Sequence, residues 1–171
     1  MKTLFNLQPP YCKKAFITIS IMNNSIRKST LEDLEALSHL FDGYRVFYKK
    51  ESDLRAAQSF LKERITNNES EIFVSFNEAQ SMTGFVQLYP IFSSTQMKRF
   101  WLLNDLFVHP IYRGQGVSKA LLAQAQVFAQ ESNSAGLILE TAKTNVIGNS
   151  LYPAVGFVLD DEHNYYTWNT K

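Results

Sequence analysis

One cysteine, Cys12, occurs in 171 residues. That excludes an internal disulfide and a zinc site of the paired-cysteine kind, and no histidine stands near it to activate it as a nucleophile. A reducing, cytoplasmic setting is expected. An excess of charge of one sign is also missing. Lys and Arg number 17 against 16 Asp and Glu, a formal net charge of +1, so no overall field draws the chain to nucleic acid or an acidic membrane surface. No apolar stretch is long enough to cross a bilayer. Internal repeats, low-complexity tracts and Gly/Ser linkers are absent, which favours one compact domain of a size that buries roughly 70% of its unfolded-state surface. His39 and His163 lack ligand-type spacing and His109 fills the place between Val108 and Pro110, so no metal is expected.

What is present begins with a false resemblance. Lys13 and Lys14 precede the apolar run "AFITISIM", as in a secretory leader, but the run is short, Pro9 and Pro10 interrupt what comes before, and "NNS" stands where a cleavage site belongs. Residues 1–22 are therefore expected to be a loosely attached, disordered extension or the product of an upstream start, with the domain spanning 23–171.

The remaining elements follow one another with short breaks. "SIRKS" reads as a strand, and Thr30 with Asp33 gives a capping-box start to a helix whose stripe is Leu31, Leu34, Leu37, Phe41, Tyr44 and Tyr48. A second helix is predicted over 52–67. "EIFVSF" and "MTGFVQLY" form a hairpin, and "RFWLLNDLFV", apolar on both faces, reads as a central strand ended by Pro110. Val117, Leu121, Ala125 and Phe128 share one helical face, and "LILET" follows as another buried strand. Strand, glycine turn, helix and strand in that order predict a parallel crossover. A helix over 145–155 and strand segments "GFVLD" and "YYTW" complete a mixed sheet flanked by helices, an α/β (α+β) fold.

The glycine turn is "HPIYRGQGVSKALL", 109–122. At the carboxyl end of a parallel strand, Gly114 and Gly116 remove side chains from a loop whose amides can converge on a diphosphate at a helix amino-terminus, with Arg113 adding charge and Ser118 a hydroxyl. A plain tight turn accounts for the glycines equally well. The Lys-Ser/Thr ending of a nucleoside-triphosphate loop and the third glycine of a dinucleotide fingerprint are missing.

The central strand, this turn, the next strand and "NVIGNSLYPAVGF" (145–157) together resemble the GCN5-related N-acetyltransferase (GNAT) superfamily, over roughly 25–168. The resemblance implies the GNAT acyl-CoA N-acyltransferase fold, acetyl-CoA as cosubstrate, and a pyrophosphate site in Arg113, Gly114, Gln115, Gly116, Val117 and Ser118. It implies a β-bulge in the strand 102–108, with Leu106, Phe107 and Val108 offering backbone contacts to the thioester and pantetheine arm, among them an oxyanion N–H worth about 3 kcal/mol. Their side chains can equally be core. The later helix matches the family through Asn145, Tyr152, Gly156 and Phe157, and the resemblance implies that Asn145 and Tyr152 contact the cosubstrate. Related enzymes often dimerise, so a homodimer is a possible assembly. "LNDLFV" is similar to the strand of small-amine acetyltransferases, but Asn104 stands where polyamine enzymes have an acid, which counts against a polyamine.

Acetyl transfer needs a free-base amine, a stabilised oxyanion and a proton for the leaving thiolate. Tyr152 occupies the family's thiolate-protonating position, and a phenol stays protonated at neutral pH; otherwise it is a half-buried anchor. Asp105 can bind the incoming ammonium or take its proton, or serve as a structural acceptor at the bulge. Tyr44, Tyr48 and Tyr89, with Asn104 and Asp105, are candidates for binding the amine, although aromatics at such spacing are more often core. The expected activity is acetyl transfer from acetyl-CoA, by direct attack, to the primary amine of a small molecule: a polyamine-like amine, an amino acid or similar. A protein or peptide acceptor, or a non-catalytic acyl-CoA-binding module, are the alternatives, and the sequence leaves open whether the donor is acetyl or a longer acyl group.

Overall fold

The computed structural model describes residues 25–170; the predicted extension lies outside them. Strand β1 (Ser25–Lys28) leads through one turn of 3-10 helix into α1 (Leu34–Phe47) and α2 (Leu54–Thr66), followed by β2 (Glu71–Phe76), β3 (Met82–Ser93) and β4 (Lys98–Val108). The crossover then runs through α3 (Val117–Glu131) to β5 (Gly136–Ile138) and ends in α4 (Val146–Ala154). The five strands lie in sequence order, antiparallel except for the parallel β4–β5 pair.

Local chemistry accounts for the boundaries. The Thr30 hydroxyl accepts the Glu32 N–H at 3.3 Å while the Asp33 carboxylate accepts the Thr30 N–H at 2.8 Å, satisfying orphan donors at the helix start. Asp53 caps α2 by accepting the Ala56 N–H at 2.9 Å. The predicted stripe of α1 is buried only in its middle: Leu37 and Phe41 are buried, joined by Leu40 from outside the stripe, whereas Leu31 and Tyr48 at its two ends are exposed.

Strand alternation divides the core into two layers. On one side of the sheet, Val86, Leu88, Trp101, Leu103 and Val108 pack against Val117, Leu121, Leu122 and Ala125 of α3. On the other, Ile72, Val74, Phe85 and Phe107 pack against Leu37, Phe41, Ala57 and Leu61 of α1 and α2. The α3 stripe is as predicted, with Phe128 half-buried against Phe73 and Trp101 at centroid distances of 5.2 and 5.0 Å.

Two expectations are corrected. The β5 ladder covers only Gly136–Ile138 rather than all of "LILET", and "GFVLD" and "YYTW" join no ladder. A strand exists through its hydrogen-bonded neighbour, and β5 offers three residues. In the middle of the tail, Asp160 instead accepts the N–H groups of Glu162 and His163 at 3.0 and 3.2 Å, a side-chain-closed turn that interrupts extended backbone. Val158, Leu159, Tyr165, Tyr166 and Trp168 are consequently exposed.

Candidate functional site

The site is built around the carboxyl half of β4. Asp105 pairs with Gln87 and Leu103 with Leu88, so Asn104 is an inserted residue without a partner on β3, a β-bulge that bends and twists the strand. The parallel ladder to β5 covers Phe100–Leu102 and stops before the bulge. Beyond it, β4 has β3 on one side and a gap on the other. The His109 N–H donates to the Thr83 carbonyl at 2.9 Å, and Phe107 pairs with Phe85 in the same register. Since antiparallel residues turn alternately toward and away from the partner, Leu106 and Val108 direct their backbone groups into the gap. Phe107 turns its backbone to β3 and buries its ring under α1.

The glycine turn closes one end of this gap. Gly114 and Gly116 have φ of 75° and 83°, and a Cβ at either would meet nothing within 4 Å. Their conformation favours glycine, and the space beside them is open. Gly116 is the N-cap of α3 and supplies no side chain; the first turn of α3 holds no acidic residue. Its leading amides, with Val117 anchored in the core and Ser118 beside it, therefore keep their positive end unneutralised. Arg113 is fixed by its Nε donating to the Val108 carbonyl at 3.0 Å, and its guanidinium lies over the rings of Phe47 and Phe107 at 5.6 and 5.5 Å. Gln115 donates back to the Ile111 carbonyl at 3.2 Å.

On α4, the Asn145 side chain accepts the Gly148 N–H at 3.0 Å and donates to Thr141 Oγ1 at 2.9 Å. Asn145 is thus the cap that fixes α4. A Cβ on Gly148 would stand 2.5 Å from Asn145 Nδ2, a close approach with no signature in the sequence. The helix so fixed presents Tyr152, half-buried and edge-on to Phe157 at 5.9 Å. Burial, and then the neighbouring Tyr48, raise the Tyr152 phenol above its ordinary range.

Tyr152 and Tyr48 lie beside Tyr44, which in turn lies against Asp105. The Tyr44 hydroxyl reaches the Asn104 carbonyl at 3.5 Å and engages the Asp105 carboxylate, which also accepts from Asn104 Nδ2 at 3.2 Å. The phenol of Tyr44 is pushed far up by burial and by the charge of Asp105, and that of Tyr89, for the same reasons, up to about 12. Asp105 itself is 4% exposed, and desolvation raises its pKa against the smaller opposing effect of those two hydrogen bonds. The other two buried aspartates behave oppositely. Asp33 receives both arms of Arg27 at 2.7 Å, and Asp42 receives Ser52 Oγ at 2.6 Å, the Asp53 N–H at 2.9 Å and Arg45 at 3.3 Å; each is held below the usual carboxylate range, chiefly by its side-chain donors. Among the described residues, Asp105 has no cationic partner within ion-pair distance.

Beside Tyr44, a cavity of about 460 Å³ opens between α1 and α2, lined by Phe41, Tyr44, Arg45, Tyr48, Ala57 and Phe60 among others. Phe41 and Phe60 stack in its wall at 5.5 Å.

Residues 34–157 match the acetyltransferase (GNAT) family. The chain belongs to the GNAT acetyltransferases. It is 41% identical over 145 residues to the uncharacterized N-acetyltransferase YhfO of Bacillus subtilis (strain 168), covering 85% of this chain and 97% of that protein. A probable acetyltransferase of Haemophilus influenzae is 31% identical, covering 78% of this chain and 90% of its own length. The crystal structure of a probable acetyltransferase superposes with a TM-score of 0.82 at 35% identity, covering 86% of this chain and 98% of that one. As a GNAT acetyltransferase the protein is an acyltransferase, and enzymes of this family use acetyl-CoA.

The GNAT residues present fit that cosubstrate. The turn has the open space and left-handed backbone a close phosphate contact needs, and the gap beside β4 exposes the Leu106 and Val108 amides to an extended arm. Of the residues singled out in the sequence, Tyr44, Tyr89 and Asn104 neighbour Asp105, Tyr48 and Tyr152 neighbour Tyr44, and 113–118 follow the carboxyl end of β4. Sequence reasoning passed over Gln87, Gly148 and the seat of Arg113 on Phe47. A polar residue centred in "MTGFVQLY" was the one available signal for Gln87.

Proposed function

We propose that this enzyme transfers the acetyl group of acetyl-CoA to the primary amine of a small molecule by direct attack, with Asp105 receiving the amine and Tyr152 serving the leaving group. The observation that carries the reading is Asp105: a buried carboxylate without a cation, in contact with the Tyr44 hydroxyl and the Asn104 amide, on the strand that borders the gap. A buried charge is tolerated when something pairs with it, and a substrate ammonium is the missing partner.

Acetyl-CoA, when bound, supplies an acyl carbon activated by a thiolate leaving group. The chain's residues then have separate tasks. Gly114, Gly116 and the amino-terminus of α3 hold the diphosphate, with Arg113 and Ser118 beside them, and Asn145 fixes the helix that carries Tyr152. The Leu106 N–H, fixed by the β3–β4 ladder, donates to the carbonyl oxygen as negative charge develops there, a contact worth about 3 kcal/mol in comparable sites. Asp105 takes a proton from the amine, whose pKa near 10 makes deprotonation a requirement at neutral pH. The Tyr152 phenol, raised by burial and so neutral, gives its proton to sulfur. The cavity between α1 and α2 takes the body of the acceptor, and its stacked Phe41 and Phe60 favour a flat or apolar one.

The test is release of CoA thiol from acetyl-CoA across separate pools of polyamines, amino acids, aromatic and alkyl amines and short peptides, with Tyr152→Phe in parallel. Turnover with a small-molecule pool, reduced about 10²-fold or more in the variant, is expected for a lost general acid. Turnover confined to peptides overturns the small-molecule assignment. Full turnover by Tyr152→Phe removes its acid role, and CoA binding without thiol release from any pool leaves a binding module.

A further inference from the structure

The site holds one polar group that the reaction above leaves unused. Gln87, in the middle of β3, is 0% exposed, and it is the residue directly opposite Asp105 in the β3–β4 register. Side chains of directly opposed residues leave the sheet on the same face with Cβ atoms about 4.5–5.5 Å apart, so the Gln87 amide and the Asp105 carboxylate are neighbours in the layer under α1 and α2. One end of that amide is fixed, because Nε2 donates to Ser70 Oγ at 2.7 Å and Ser70 is itself buried. The other end is not satisfied: Gln87 Oε1 has no hydrogen-bond partner among the described residues. Buried acceptors left in this state are rare and destabilising.

Two acceptors therefore stand side by side, one charged and one neutral, with Tyr44 against Asp105, Tyr89 beside the Gln87 amide, and no cation paired with Asp105 among the described residues. What complements this pair is a compact donor carrying positive charge and more than one N–H. We infer that Gln87 Oε1 is a second acceptor for the substrate's ammonium group, so that the Asp105–Gln87 pair selects primary amines over N-methylated ones. A primary ammonium has three N–H groups and can serve both residues while keeping one for a third partner; each N-methyl group removes a donor and adds bulk beside two buried acceptors. The inference rests on the proposed amine acetylation, and it assigns Gln87 to binding and orientation of the substrate.

The experiment uses n-butylammonium and n-butyltrimethylammonium chlorides as probes in thermal melts of the full chain, so that it does not depend on finding the natural acceptor. Wild type is expected to be stabilised by butylammonium and not by its trimethyl counterpart. Gln87→Met, which keeps length and volume but lacks the oxygen, is expected to weaken butylammonium binding at least about tenfold, the worth of one hydrogen bond to a charged group. Gln87→Glu, which retains an acceptor there, is expected to keep it. With the fastest primary amine from the pooled assay, Gln87→Met should raise KM more than it lowers kcat. Undiminished butylammonium binding by Gln87→Met, accompanied by a higher melting temperature, would mean that Oε1 is merely an unsatisfied group and would overturn the inference. Equal stabilisation of wild type by the two probes would overturn it as well. Either result leaves amine acetylation standing, whereas absence of thiol release with every pool counts against the acetylation reading alone.

Discussion

The two ends of α1 each hold a buried aspartate, and they are opposites. At the amino end, Asp33 is gripped by both arms of Arg27 and by the Thr30 amide, and its pKa is lowered, first by the Arg27 hydrogen bonds. At the carboxyl end, Asp105 lies under Tyr44, has the hydroxyl of Tyr44 and the amide of Asn104 as its hydrogen-bond donors, and its pKa is raised by burial. The first carboxylate is charged because the fold gives it partners, and it is used to start a helix. The second is placed where the fold makes charge costly and supplies no counterion. A carboxylate so placed is a candidate for work other than folding.

The largest effect that would break this contrast is in Asp105→Asn. In the proposed reading, kcat/KM falls about 10²- to 10⁴-fold with loss of the base, and the acid limb of the pH–rate profile disappears. Stability moves the other way. A raised folded pKa means that Asp105 favours the folded state while neutral, below the folded pKa, and that this contribution is lost as pH rises through it. The asparagine variant escapes that loss and should melt higher than wild type at neutral pH. An unchanged pH profile with lower stability would make Asp105 a structural acceptor like Asp33.

Next in size is Asp33→Ala, expected to remove about 1–2 kcal/mol, the worth of a cap and a hydrogen-bonded carboxylate. Here the folded pKa is depressed, so the contribution is present above the ordinary aspartate range and lost as pH falls through the folded value. Urea denaturation should separate wild type and variant at neutral pH and bring them together in acid, with kcat per folded molecule little changed. The smallest effect sharpens the comparison from within the site. Asn104→Ala deletes a donor that stabilises the ionised Asp105, so the acid limb should move to higher pH while the maximal rate stays close to wild type. An acid limb that moves down, or stays, would mean that Asn104 does not act through Asp105.

The parts of this arrangement legible in the sequence were those written in local chemistry. Pro110, Gly114, Gly116 and the α3 stripe mark the crossover because backbone conformation and helical period are properties of short segments. The capping box at Thr30 was legible for the same reason. Asp105 and Tyr152 were found through the order of two motifs, but what distinguishes Asp105 from Asp33 is which neighbours each receives from distant strands, and no window of sequence contains that. Gln87 escaped notice because a strand buried on both faces has no polar side to betray its inward residues. The tail segments were overread: "GFVLD" and "YYTW" have strand composition, yet pairing depends on the length of β5 and on the turn that Asp160 closes.

The inserted residue at Asn104 has a consequence for how this strand tolerates change. Trp101 and Leu103 face α3, whereas Asp105 and Phe107 face α1 and α2. All four are odd-numbered, so the alternation of the strand slips phase by one residue at Asn104, as a reading frame slips at an insertion. A deletion there would restore a single phase across β4 and turn Asp105 and Phe107 toward α3, or Trp101 and Leu103 away from it, exchanging carboxylate for hydrocarbon in one layer or the other. Single substitutions along β4 change one contact each, whereas a shift of length by one residue reassigns half of the strand. The chemistry of this enzyme thus depends on a count of residues as much as on their identities.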